Sequence, residues 1–119
     1  MAKQRRFEIR KEGEIAICTL IDRKILDEQN IQAIGDDLWK LVDEEGCTQI
    51  VVDFQRVEYY SSATSGKFIT LNKKVAAKNG KLVLCSVNED IFEVFEIQRL
   101  DRLFTFCKDE ADALKKFQE

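Results

Sequence analysis

Ile50-Val51-Val52-Asp53-Phe54-Gln55-Arg56-Val57-Glu58-Tyr59-Tyr60-Ser61-Ser62-Ala63-Thr64-Ser65-Gly66 is the stretch on which the fold turns, with Lys67 to Gly80 following it. A short β-branched run ends in Asp53. A polar connection follows, hydroxyl residues cluster, and an apolar pattern of helical period begins. That order reads as strand, loop and helix. The central helix is expected from about Ser62 to Asn79, with Phe68, Leu71 and Val75 as its buried stripe and Ile69 and Ala76 beside it. Lys67, Lys73, Lys74 and Lys78 fall mainly off that stripe. Asn79-Gly80 suits left-handed backbone angles and ends it. Ser and Thr are favoured at a helix start because their oxygens accept from amides that lack a partner within the helix. The same amides, with the helix dipole, stabilise a nearby phosphate group.

Upstream, Phe7-Glu8-Ile9-Arg10 alternates apolar and polar, Glu12-Gly13-Glu14 is a turn, and Ile15 to Ile21 is apolar on both faces. These predict an opening hairpin with the second strand more central. Asp22 to Asp27 is a polar connection, and Asp27 caps the next helix, whose stripe is Ile31, Ile34, Leu38, Leu41 and Val42, flanked by Trp39. Gly46 stops it. The acids Asp36, Asp37, Asp43, Glu44 and Glu45 are expected on a solvated face. Thr48 to Asp53 is the third strand. Downstream, Lys81 to Ser86 is a strand, Ile91 to about Arg99 a short apolar helix, and Phe104 to Cys107 a last short strand. Asp109 caps a final helix with Ala113, Leu114 and Phe117 on one side. The order is ββαβαβαβα, an α/β fold with parallel pairs after the hairpin.

The chain has 119 residues, 45% of them apolar and 34% charged, which predicts a single domain with one core. Residues 1–6 are expected to form a flexible tail, and their basic character a solvated one. No apolar run approaches the ~18 residues of a membrane span, and no apolar signal segment follows the basic start, so a cytoplasmic protein is expected. The net charge of −3 argues against general nucleic-acid affinity. There is no histidine, which removes Ser-His-Asp and Cys-His catalysis and any His-containing metal site. Cys18, Cys47, Cys85 and Cys107 are far apart, with no Cys-x-x-Cys pair, and read as buried free thiols rather than a zinc site. No Gly-rich phosphate loop and no nucleophile–base pair is present, so no enzyme, cofactor or metal is expected. Asp53 ends a strand where catalytic acids can sit, but no second catalytic group accompanies it, so a structural or partner-surface role is expected.

In such a sheet the strand-to-helix loops gather beyond the carboxyl ends of the strands, where α/β proteins bind partners. Three segments are expected to meet there: 22–27, 54–62 and 86–90. The hydroxyl cluster would stand exposed at that edge. Its plainer explanation is capping and small-residue packing. Of Tyr59 and Tyr60, one is expected to pack inward and the other to face a partner.

The order of elements, with the run Val52-Asp53-Phe54, Val57, Tyr59-Tyr60-Ser61-Ser62 and Gly66, resembles the STAS domain of bacterial anti-sigma factor antagonists. The stretch Val94 to Phe104 resembles that family's segment before the last strand, and the likeness covers roughly residues 9–114. The resemblance implies a STAS-like mixed sheet and a protein that is not an enzyme. It implies binding to an anti-sigma factor that is also a serine kinase, and phosphorylation reversed by a serine phosphatase. It implies Ser62 as the acceptor, ahead of Ser61, Thr64 and Ser65. Ser61 stands where the family has Asp, and Thr64 where it has its first glycine; Gly66 keeps the second. The partner surface is expected at Asp22, Arg23, Asp53, Arg56, Glu58, Tyr60, Ser61, Ser62, Ser65 and Asn88. The alternative is a scaffold or small-ligand sensor module that ignores phosphorylation, which the replaced Asp favours.

Overall fold

The structure, a computed structural model, describes residues 5–118. Strands β1 (Phe7–Glu12) and β2 (Ile15–Leu20) form the opening hairpin, antiparallel in register Phe7 to Leu20. Gly13 makes the turn at φ 61°. Strands β4 (Gln49–Asp53), β6 (Lys81–Cys85) and β7 (Thr105–Cys107) then add in parallel, giving the order β1-β2-β4-β6-β7. The hairpin and the alternation are as the sequence pattern predicts. Two further strands were not expected. Lys24–Ile25 (β3) and Tyr59–Tyr60 (β5) pair in parallel as a separate two-stranded sheet, inside segments read as loops.

Period-two alternation sends each strand's side chains to two different cores. Ala16, Cys18, Leu20, Ile50, Val52, Leu82 and Leu84 face the larger core. There they meet the stripes of α1 (Glu28–Asp43), α2 (Ser65–Ala77) and α3 (Glu89–Ile97). Ile17, Val51, Val83 and Cys85 face the other side, covered by Ala113 and Leu114 of α4 (Glu110–Lys115) and by Phe117 in the 3-10 turn Lys116–Gln118. Cys18, Cys47 and Cys85 are buried free thiols, and Cys107 is half-buried. Burial pushes the Cys18 thiol up to about 12.

Caps set the helix starts. Asp27, Asn88 and Asp109 each accept the backbone N–H three residues on, at 2.8–2.9 Å. Gly46, at φ 71°, follows α1. At the end of α2, Asn79 takes the left-handed angle at φ 58°, while Gly80 does not. Gly80 is needed for another reason: a Cβ there would lie 1.9 Å from the Thr48 carbonyl oxygen.

Two expectations about polar residues are corrected. Asp37 is buried at 6% exposure, and its carboxylate accepts the Arg6 backbone N–H at 2.9 Å. Arg6 is half-buried and donates to both oxygens of Asp22 at 2.7 Å and to Asn30 Oδ1 at 2.9 Å. The guanidinium ties the start of β1 to the connection before α1, so Arg6 is no part of a solvated tail. Residues 1–4 of the expected tail lie outside the described residues.

Candidate functional site

The three segments expected at the carboxyl ends of the parallel strands do meet. The Arg23 carbonyl accepts from the backbone N–H groups of Glu58 and Tyr59, at 2.8 and 3.1 Å, and the Ile25 carbonyl from that of Ser61 at 2.9 Å. The Asn88 side chain donates to the Val57 carbonyl at 3.3 Å. The small sheet therefore holds the hydroxyl cluster by backbone bonds rather than leaving it on a loose loop.

Ser62 begins a 3-10 turn, Ser62–Thr64, and α2 starts only at Ser65. The acceptor candidate is thus one short turn upstream of the α-helix, not on its first residue. The dipole's support for a phosphate is correspondingly weaker, because it fades within a turn. Ser61 caps the turn, its Oγ accepting the Ala63 N–H at 3.3 Å, a role that Ser and Asp both fill at helix starts.

Burial separates the four hydroxyls. Thr64 and Ser65 are 0% and 1% exposed. Ser62 is exposed, and its hydroxyl has no hydrogen-bond partner among the described residues. Ser61 is half-exposed and committed to its cap. Tyr60 is the inward tyrosine of its pair and Tyr59 the outward one. Tyr60 packs on Phe95 with ring centroids 5.3 Å apart, and burial pushes its hydroxyl pKa up, keeping it protonated. Its oxygen lies 2.7 Å from Ser65 Oγ. Ser65 donates its single proton to Gln98 Oε1 at 2.7 Å, so the Tyr60 O–H donates to Ser65. Gln98, the C-cap of α3, closes the chain by donating to the Ser62 carbonyl at 3.1 Å.

Tyr60, Ser65 and Asp53 are buried rather than exposed on the surface where they are expected. Arg23 and Glu58 form an exposed ion pair beside Tyr59. Arg56 is drawn elsewhere, to Glu8 of β1 at 2.6 Å, on the face that α4 covers. Asp22 is engaged by Arg6, and Asn88 by its cap. Next to the turn an open groove of about 360 Å³ separates the start of α1 from Ser61 and Ala63, lined also by Leu26, Glu28, Ile31, Gln32 and Lys67. Sequence spacing gave no sign of this groove or of Gln98.

Asp53 serves the far face. Its Oδ1 accepts the Gln55 N–H at 2.9 Å, and its carboxyl also meets Glu110 of α4 and Ser86. Burial first, and Glu110 second, push Asp53 up to about 6. The bonds to Asp53 and to Arg10 (2.7 Å) hold Glu110 below the usual carboxylate range. The pair shares one proton, held mainly by Asp53. A raised carboxyl pKa means that the folded chain binds the proton more tightly. Asp53's contribution to stability is therefore complete below about pH 4 and is lost as pH rises to 6. Glu110 acts in the opposite sense, its contribution being lost as pH falls. Asp53→Asn should gain on the parent chain by on the order of 2 kcal/mol between pH 4 and pH 7. Denaturant midpoints at the two pH values check this; an unchanged difference between the two chains would contradict it.

The family model for the STAS domain matches residues 6–113. The chain is 28% identical over 94 residues to a Bordetella bronchiseptica protein named as anti-sigma factor antagonist BtrV, covering 79% of this chain and 80% of that one. A Thermotoga maritima structure, named as an anti-sigma factor antagonist, superposes with TM-score 0.81 at 22% identity, over 95% of both chains. SpoIIAA in its unphosphorylated form superposes at 0.78, with 17% identity, over 94% of this chain and 96% of that one. Bacillus SpoIIAA in the phosphorylated form gives 0.69 at 18%, over 93% and 98%. At these identities the structures show the fold, and the family match shows more: the chain belongs to the STAS domain family.

Proposed function

We propose that this protein is an anti-sigma factor antagonist whose binding to an anti-sigma factor with serine kinase activity is switched by phosphorylation of Ser62. One observation carries this: of the four clustered hydroxyls, Ser62 alone is both exposed and unbonded among the described residues. It stands at the carboxyl edge of the sheet, near a groove of mixed polar and apolar lining and the exposed side chains of Leu26 and Tyr59. The name of its Bordetella relative and the two recorded forms of SpoIIAA support it. The chemistry is phosphoryl transfer from ATP. A bond forms between Ser62 Oγ and the γ-phosphorus, the bridging oxygen leaves with ADP, and a base of the kinase takes the hydroxyl proton. A serine phosphatase restores the hydroxyl with water. The chain itself supplies an acceptor and a docking surface, not catalysis. Among the described residues no helix is long and apolar enough to cross a membrane, and the place of action proposed is the cytoplasm.

Titration calorimetry of the organism's own anti-sigma factor kinase against the protein, before and after phosphorylation, tests the switch. Tight binding of the unmodified form and at least tenfold weaker binding of the modified form are expected. Equal affinity would favour a scaffold module instead, the reading that Ser61 in place of the family's Asp supports.

A further inference from the structure

Ser61 and Ser62 are adjacent hydroxyls on one turn, and a kinase that meets them must choose. We propose that Gln98 makes that choice, as a positioning residue that clamps the turn so that Ser62 rather than Ser61 faces the partner. This role presupposes the phosphorylation switch described above.

Gln98 lies 36 residues beyond Ser62, yet its amide holds the turn at two points. Its Nε2 donates to the Ser62 carbonyl and its Oε1 accepts from Ser65 Oγ. The same Ser62 carbonyl accepts the Ser65 backbone N–H, so both bonds fix one peptide plane. Ser65 is in turn held by buried Tyr60, which roots the clamp in the core. With that plane fixed, the Ser61 side chain stays turned to the Ala63 N–H and the Ser62 side chain stays in solvent. The end of α3 aims Gln98 at the turn. Arg99 adopts φ 62°, an angle uncommon for a long side chain, and the backbone N–H of Leu100 folds back to the Phe95 carbonyl at 2.8 Å. The helix therefore stops with its cap residue against Ser62 instead of running past it.

Gln98 is exposed, so its substitution should leave the fold intact. Gln98→Ala removes both bonds. Gln98→Glu keeps the acceptor for Ser65 but sets an oxygen against the Ser62 carbonyl. The wild-type chain and both variants are incubated with the cognate kinase and ATP, and the phosphorylated positions are quantified by tandem mass spectrometry. Wild type should carry its phosphate on Ser62. In both variants kcat/KM at Ser62 should fall about tenfold, and the share of phosphate on Ser61 should rise at least fivefold. Backbone amide exchange of residues 62–66, measured without kinase, should be faster in both variants. Wild-type phosphorylation at Ser62 with unchanged site distribution and kcat/KM in the variants would overturn the clamp while leaving the switch standing. A wild type that takes no phosphate from an active kinase would overturn the switch and the selection role together. Unchanged amide exchange would show that the clamp itself is absent.

Discussion

Ser62→Asp is expected to fold as the parent chain does and to lose binding to the anti-sigma factor by about 30-fold or more, the equivalent of about 2 kcal/mol. The fold should tolerate the charge because Ser62 is exposed and forms no side-chain bond that must be broken. A carboxylate also lies favourably near the amino end of α2, although the intervening 3-10 turn reduces that benefit to a few tenths of a kcal/mol. A docked surface is different. The added charge must be stripped of water or meet the partner unpaired, and an unpaired buried charge costs several kcal/mol. Ser62→Ala removes only a hydroxyl and should bind as well as the parent. Thermal melts and calorimetry on the two variants separate fold from binding. A lowered melting temperature in Ser62→Asp, or equal affinity of both variants, would contradict the account.

Gly80→Ala should be the most damaging single-methyl change in the chain. An added Cβ would lie 1.9 Å from the Thr48 carbonyl oxygen and 2.8 Å from its carbon. That oxygen accepts the Lys81 N–H at 2.8 Å, the bond that joins the starts of β4 and β6. The obstacle is backbone on both sides, so no rotamer change relieves it, and the central strand pair must shift apart. A cost of about 3 kcal/mol follows, at the upper end for overpacking. In a domain of this size that lowers the melting temperature by roughly 10 °C. Gly66 is the control, because a Cβ there meets nothing within 4 Å. Gly66→Ala should melt within a few degrees of the parent. Similar losses at both glycines would show that the close approach is not the cause.

The larger elements were legible because their signal is periodic. Ile50-Val51-Val52 is a strand buried on both faces, and Phe68, Leu71 and Val75 recur at helical spacing over about two turns. The two-residue strands β3 and β5 carry no period, and their pairing is made by backbone groups that no side chain announces. The same brevity hid which tyrosine turns inward. In a two-residue strand one of the pair must, and only the packing of Phe95 against Tyr60 decides it. Ser62 was readable as a hydroxyl near a helix start, whereas the burial of Thr64 and Ser65 depends on how closely the turn lies against the core. Gln98 was invisible for a different reason. A polar residue at the end of an apolar helix looks like a solvated cap until the fold brings the Ser62 carbonyl to it. Of the two roles the sequence allows Asp53, structural or partner-facing, the structure shows it buried against Glu110, because a residue at a strand end can serve either face.

The most direct measurement is the position of the phosphate. Trypsin cleaves after Arg56 and Lys67, so residues 57–67 form one peptide that holds all four hydroxyls of the cluster. After incubation with the cognate kinase and ATP, fragment spectra of that peptide should place a single phosphate on Ser62. A phosphate on the buried Thr64 or Ser65, or an unmodified peptide from a kinase shown to be active, would contradict the account.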